Sequence, residues 1–181
     1  MEPLRSAVDT FVPIQRKPLG PGQVLITGDV VQDRLLDTRE LDDRASASRD
    51  VDYVTRRIRE VHRVRGVPLH EVLSEREPRW DRRHKMGRLN VVVVATSEDG
   101  FQVVLSLAEV DPEFGANQAL LATRYNDELL RRPTLVLPGD GRASRYVRRL
   151  CRIGLLTIAP CAEPPADEGP QSRSDRSSTK R

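Results

Sequence analysis

The segment Pro138 to Arg149 (PGDGRASRYVRR) concentrates the residues best suited to hold an anion. A Pro-Gly turn and a Gly-Asp-Gly loop lead into Arg142, Arg145, Arg148 and Arg149, with Arg152 just beyond. Guanidinium forks match phosphate oxygens in pairs, and glycine lets a backbone come close to a ligand. Ser144 adds a hydroxyl among the arginines. The chemistry this implies is binding of a phosphorylated anion. The competing reading is a solvated basic edge whose arginines pair with surface carboxylates, each pair adding little.

Other reactive residue types are scattered. His62, His70 and His84 have no metal-ligand spacing relative to one another, so each reads as a surface or strand residue. Cys151 lies among Leu150, Ile153 and Leu155, which suits a small core residue better than a reactive thiol. With Cys161 it makes too few cysteines for a disulfide framework. Asp99, Glu109, Asp111 and Glu113 are accounted for by turns and helix starts. No Ser-His-Asp order, Walker loop or dinucleotide fingerprint occurs. The stretch Arg76 to Arg88 surrounds Trp80 with Arg79, Arg82, Arg83 and Lys85, but Glu75, Glu77 and Asp81 dilute it into a solvated loop.

The totals narrow the classes. At 181 residues the chain has room for one core, and a 31% charged share is that of an ordinary soluble protein. Aromatics make up 4%, too few stacking platforms for single-stranded nucleic acid to be the main partner. The net charge of +3 is compatible with anionic ligands without demanding a nucleic-acid role. No run approaches the roughly 20 apolar residues that span a bilayer. Met1 to Lys17 lacks the apolar centre of a signal peptide. The expectation is a cytoplasmic protein with no membrane partner.

The elements that must position the loop are mostly strands. Residues 1–22, rich in Pro and Gly, read as a flexible arm, and residues 159–181 as a tail too polar to offset its own ordering entropy. The body is 23–158. Strands are expected at Gln23–Thr27, Asn90–Ala95, Phe101–Leu105, Leu120–Tyr125, Thr134–Leu137 and Tyr146–Ile158. Asp37 and Thr38 can cap a brief helix containing Leu41, and His70 to Leu73 begins another. Val51, Val54, Ile58, Val61 and Val64 fit helical spacing slightly better, yet Val51, Tyr53 and Thr55 also alternate as a strand would.

In order, these pieces resemble the molybdopterin-binding oxidoreductase domain of the sulfite oxidase family, in its short bacterial form. The similarity runs over 23–158. It rests on Leu25-Ile26-Thr27-Gly28-Asp29-Val30, Gly66-Val67-Pro68-Leu69, Glu98-Asp99-Gly100-Phe101, Leu105 to Pro112, Asn126-Asp127, Leu135 to Gly139 and Arg145-Tyr146-Val147-Arg148. The resemblance implies a β-rich α+β fold and turns the ambiguous stretch into a strand hairpin. It also implies a closing loop that contacts a pterin cofactor and its phosphate, with Arg145 and Arg148 at the matching positions and Arg142 and Ser144 beside them.

The departures from the family pattern bear on catalysis. Redox-active members hold molybdenum through a cysteine thiolate on an early strand, which falls between Val51 and Val64 here, where there is no cysteine. Thr55 cannot supply a soft ligand. The family's Pro-x-Arg strand carries Thr134 in place of its arginine, with a loop shortened around Arg131-Arg132-Pro133. The expectation is therefore molybdopterin or another phosphorylated ligand by resemblance, without the metal's usual thiolate, and oxidoreductase character by resemblance alone. The alternative is a cofactor-free interaction module reusing the fold, its basic loop and tails meeting an acidic protein; weaker still is nonspecific nucleic-acid binding.

Overall fold

The computed structural model describes residues 19–158 apart from 56, 57, 81, 84, 85 and 116. Most of the expected N-terminal arm, the expected tail with Cys161, and His84 lie outside the described residues. Leu19 to Gly22 are described, and the Gly20 and Gly22 carbonyls accept hydrogen bonds from Arg132 and Thr38 of the body.

The chain is β-rich α+β, the expected class. Its strands are β1 (Gln23–Gly28), β2 (Arg34–Asp37), β3 (Ala47–Thr55), β4 (Ile58–Pro68), β5 (Val91–Ser97), β6 (Gln102–Ser106), β7 (Leu120–Tyr125), β8 (Glu128–Val136) and β9 (Leu150–Thr157). Three short helices intervene: α1 (Thr38–Asp43), α2 (Leu69–Ser74) and α3 (Leu107–Val110). Local chemistry sets their starts. The Asp37 carboxylate accepts from the Arg39 amide at 2.8 Å, and Ser106 with Glu109 forms a reciprocal capping box on α3.

The strands form two sheets, ordered β2-β1-β9-β5-β6 and β3-β4-β7-β8. Among the described strands β1 and β9 pair in parallel and the other pairings are antiparallel. One buried apolar cluster draws on both sheets, from Val24, Ile26, Val93 and Leu155 to Tyr53, Val64, Leu121 and Leu135. β5 alternates buried and half-buried positions, so one of its faces lines the core. In the sheet it lies between β9 and β6.

Val51 to Val64 is the strand hairpin that the resemblance implied, with Val51 opposite His62 and Tyr53 opposite Glu60. Helical spacing loses there because the inward residues Val51, Tyr53 and Val64 share one strand face. Two boundaries move. Arg131, Arg132 and Pro133 lie inside β8 rather than in a loop. Asn126 and Asp127, both in the left-handed region (φ 47° and 67°), turn the chain so tightly that β8 begins at once. The last strand starts at Leu150, because Ala143–Arg145 form a 3-10 turn and Arg149 has φ 50°.

Candidate functional site

The closing segment, 138–149, is a loop fastened at both ends. Leu135 and Val147 exchange two backbone hydrogen bonds at 3.0 and 3.1 Å, tying the loop's exit to β8. The Asp140 amide donates to the Leu137 carbonyl at 3.0 Å, and the Tyr146 amide to that of Ala143 at 3.1 Å. At the far end the Arg149 carbonyl receives the Glu98 amide at 3.1 Å. The 3-10 turn packs against β3, so the loop meets the strand hairpin on which the resemblance places metal ligation.

The four expected contact residues separate into two kinds. Arg145 is engaged: Nε and Nη2 donate to the two Asp140 oxygens at 2.8 and 2.6 Å, and Nη1 reaches Glu109 at 3.4 Å. The Asp140 carboxylate raises the Arg145 pKa above its ordinary value, and Glu109 adds to this. A bidentate pair of this kind fixes a loop's shape. Arg142, Ser144 and Arg148 are exposed, and among the described residues their side chains make no hydrogen bond or ion pair. The arrangement is a braced loop presenting two free guanidinium groups and a hydroxyl.

Gly139 and Gly141 fit the same picture. Neither has positive φ, and a Cβ built on either would meet nothing within 4 Å. Their conformation does not require glycine, so the missing side chains leave room above the backbone. Gly139→Ala with Gly141→Ala is expected to leave thermal stability within about 0.5 kcal/mol of wild type, the usual range for surface changes. Retention of a loop-bound ligand should fall in the same variant. Thermal melting and ligand retention measured on one preparation check this.

The metal half of the family's chemistry does not fit these residues. Among the described side chains of β3 and of β4 up to Val64, the buried, inward-facing ones are Val51, Tyr53 and Val64, none of them a soft ligand. Cys151 lies on β9 in the other sheet, its Sγ donating to the Thr96 carbonyl at 3.3 Å. Burial raises its pKa, the effect opposed by Arg132 and Arg152, so it stays a thiol near neutral pH. Among the described residues, no group of three or more His, Cys, Asp and Glu is placed to hold a metal ion. Thiolate-held molybdenum does not fit the strand.

In the basic stretch around Trp80, Arg88 and Arg82 are engaged within the protein. Arg88 bonds Asp111 at 3.1 Å, pairs with Glu113 and lies 4.5 Å from the Phe114 ring centroid. Arg82 sits over Trp80 at 5.9 Å. Arg132, which the sequence reading placed in a loop, is buried: it pairs with Glu98 and donates to the Gln23 and Gly20 carbonyls.

One constellation escaped the sequence reading. Tyr53 from β3, Tyr125 from β7 and Tyr146 from the closing loop come together, and they are all the tyrosines of the chain. His62 joins them from β4, its ring 5.1 Å from Tyr125 and 5.6 Å from Tyr53. The Tyr53 and Tyr125 hydroxyls are 3.4 Å apart, and Tyr146 meets Tyr53 edge to face at 5.3 Å. Burial raises the Tyr125 pKa well above the usual phenol range and the Tyr146 pKa to about 12, so both are O–H donors near neutral pH. No spacing in sequence announces the cluster; only the pairing of the β3–β4 hairpin with β7 and the fold of the closing loop assemble it.

No family model matches the sequence, and no curated protein matches it. Among solved structures, the chain is similar to the crystal structure of the sulfane dehydrogenase SoxCD from Paracoccus pantotrophus. The TM-score is 0.57 at 16% sequence identity, covering 74% of this chain and 37% of that one. At this identity the likeness is one of fold. The chain thus spans little more than a third of the length of the protein it matches.

Proposed function

We propose that this chain is a binding domain of the sulfite oxidase type that holds a phosphorylated, pterin-like anion on its closing loop. Arg142, Arg148 and Ser144 contact the phosphate, and Arg145 braces the loop through Asp140 and Glu109. One observation carries the reading: the loop is pinned at both ends, yet it leaves Arg142 and Arg148 exposed and unpaired among the described residues. Arginine left free on a fixed backbone suits a bidentate anion better than a mobile surface charge does. The choice of molybdopterin over other phosphorylated ligands rests on the family resemblance and on the shared fold with a dehydrogenase. Redox turnover is not assigned, since the stretch 51–64, to which the resemblance gives the metal, has no cysteine.

The test is to purify the chain from a host that makes molybdopterin, then measure pterin fluorescence after oxidation together with molybdenum content. The reading expects near-stoichiometric pterin with little molybdenum. Well-folded protein carrying neither overturns it.

A second reading has its own observation. The outer face of the first sheet aligns Val92, Val94, Val104 and Leu156, with Val104 61% and Leu156 45% exposed. Such a surface suits a protein interaction module reusing the fold. Pterin-free protein that forms a complex lost on Val104→Asp would favour this reading.

A further inference from the structure

Among the described strands, β2 and β6 form the edges of one sheet and β3 and β8 those of the other. An open edge offers unpaired amides and carbonyls to any extended chain, and charge or proline along it keeps copies apart. Three of these edges carry such residues: Arg34 and Asp37 on β2, Asp50 and Asp52 on β3, and Glu128, Arg131 and Pro133 on β8. β6, which reads Gln102-Val103-Val104-Leu105-Ser106, has neither charge nor proline. Val104 is 61% exposed on it, and Phe101, just before it, is 46% exposed.

The neighbours of β6 fix where its backbone groups point. In an antiparallel strand the N–H and C=O of one residue face the same edge, and successive residues alternate. The Ser97 amide donates to the Phe101 carbonyl at 2.9 Å, so Phe101, Val103 and Leu105 turn toward β5. At the other end of β5, the Ile158 amide donates to the Asn90 carbonyl at 2.8 Å. That directs Val92, Val94 and Thr96 to β9 and leaves Val93 and Ala95 for β6, in the same phase. Gln102 and Val104 therefore aim their amides and carbonyls outward, where no described strand lies. The Ser106 amide, next in that series, is already held by the Glu109 carboxylate at 2.8 Å. What the edge leaves open is the amide and carbonyl of Gln102 and of Val104.

We propose that a second copy of this chain occupies this edge, β6 pairing antiparallel with β6 about a twofold axis through Val103. Gln102 of each copy then lies opposite Val104 of the other, and each such pair exchanges an amide and a carbonyl in both directions. Every open group on the edge is used. A register centred on Val104 would instead set the Gln102 carbonyl against the Ser106 amide that Glu109 already holds. On the core side Val103 meets its counterpart, and Phe101 meets Leu105 in an aromatic–aliphatic cross-strand pair that covers the exposed ring. No like charges oppose one another, because the strand has none. Twofold pairing of one surface with itself is the commonest way identical chains assemble. The pairing shares Val104 with the apolar outer face and makes no use of the closing loop.

Sedimentation equilibrium of the full chain, from micromolar to near-millimolar concentration, tests the pairing, and a reversible dimer is expected. Val104→Pro removes half of the hydrogen bonds between the copies, so the concentration of half-dimerisation should rise at least about tenfold. Its fold should survive, because the lost amide points outward and an edge strand admits proline there. Val104→Lys leaves the backbone whole and sets like charges beside the axis, so it shifts the dimer the same way even where the proline variant fails to fold. Leu156→Asp, on β9 with β5 between it and the edge, should dimerise as wild type does. Wild-type protein monomeric throughout, a dimer undiminished in folded Val104→Pro or Val104→Lys protein, or a dimer lost on Leu156→Asp would each overturn the pairing. Monomeric protein that still binds another protein through its outer face refutes the edge alone. A dimer that responds as expected while the face binds no other protein refutes the face reading alone.

Discussion

Combining Arg142→Ala with Arg148→Ala is expected to weaken retention of a phosphorylated ligand at least about 100-fold, with the melting temperature unchanged. In the proposed complex each guanidinium would make charge-assisted bonds to phosphate worth about 1.5–3 kcal/mol, and both would be lost together. Stability is spared because neither side chain has a partner to lose among the described residues. Arg145→Ala should behave differently. It releases Asp140 and Glu109 from their shared cation and loosens the loop, so binding falls together with the loop's resistance to proteolysis. Equilibrium binding and limited proteolysis on the three variants separate contact from bracing. A double variant that keeps its ligand would remove the phosphate role from this loop.

Gly66→Ala is expected to cost about 3 kcal/mol or more, a large part of the stability of a domain this size. The position lies on β4 at the irregularity in its pairing with β7. A Cβ there would sit 2.0 Å from the Leu121 carbonyl oxygen and 2.7 Å from the Ala122 Cα, both backbone atoms of the neighbouring strand. Backbone cannot rotate away as a side chain tip can, so the β4–β7 ladder must open to admit even a methyl group. Opening it also displaces Tyr125, which pairs with Val64 at the end of the ladder. Denaturant unfolding measures the loss; a midpoint within experimental error of wild type would contradict the pairing described.

How far the sequence speaks for itself differs from element to element. Asp37-Thr38 announces α1 because capping is local chemistry, and Ser106 with Glu109 marks α3 by the same logic. The strand hairpin at Val51–Val64 is not local in this sense. Its residues satisfy two periods at once, and the choice is made by β7 pairing along one edge of β4. Arg132 shows the limit from another side. A run of Arg131-Arg132-Pro133 reads as surface, yet one guanidinium is buried because Glu98 and two carbonyls from distant segments converge on it. The arginines of the closing loop were legible as a group, but the division between the engaged Arg145 and the free Arg142 and Arg148 depends on where Asp140 and Glu109 stand. The three tyrosines, drawn from β3, β7 and the loop, leave no trace in any local pattern.

Phosphorus NMR of the full chain, purified from a host that makes molybdopterin, tests the central claim most directly. The account predicts a protein-bound phosphomonoester resonance near one equivalent, present without stoichiometric molybdenum and absent from the Arg142→Ala, Arg148→Ala double variant. Folded wild-type protein with no bound phosphorus, or a resonance that survives in the double variant, would contradict it.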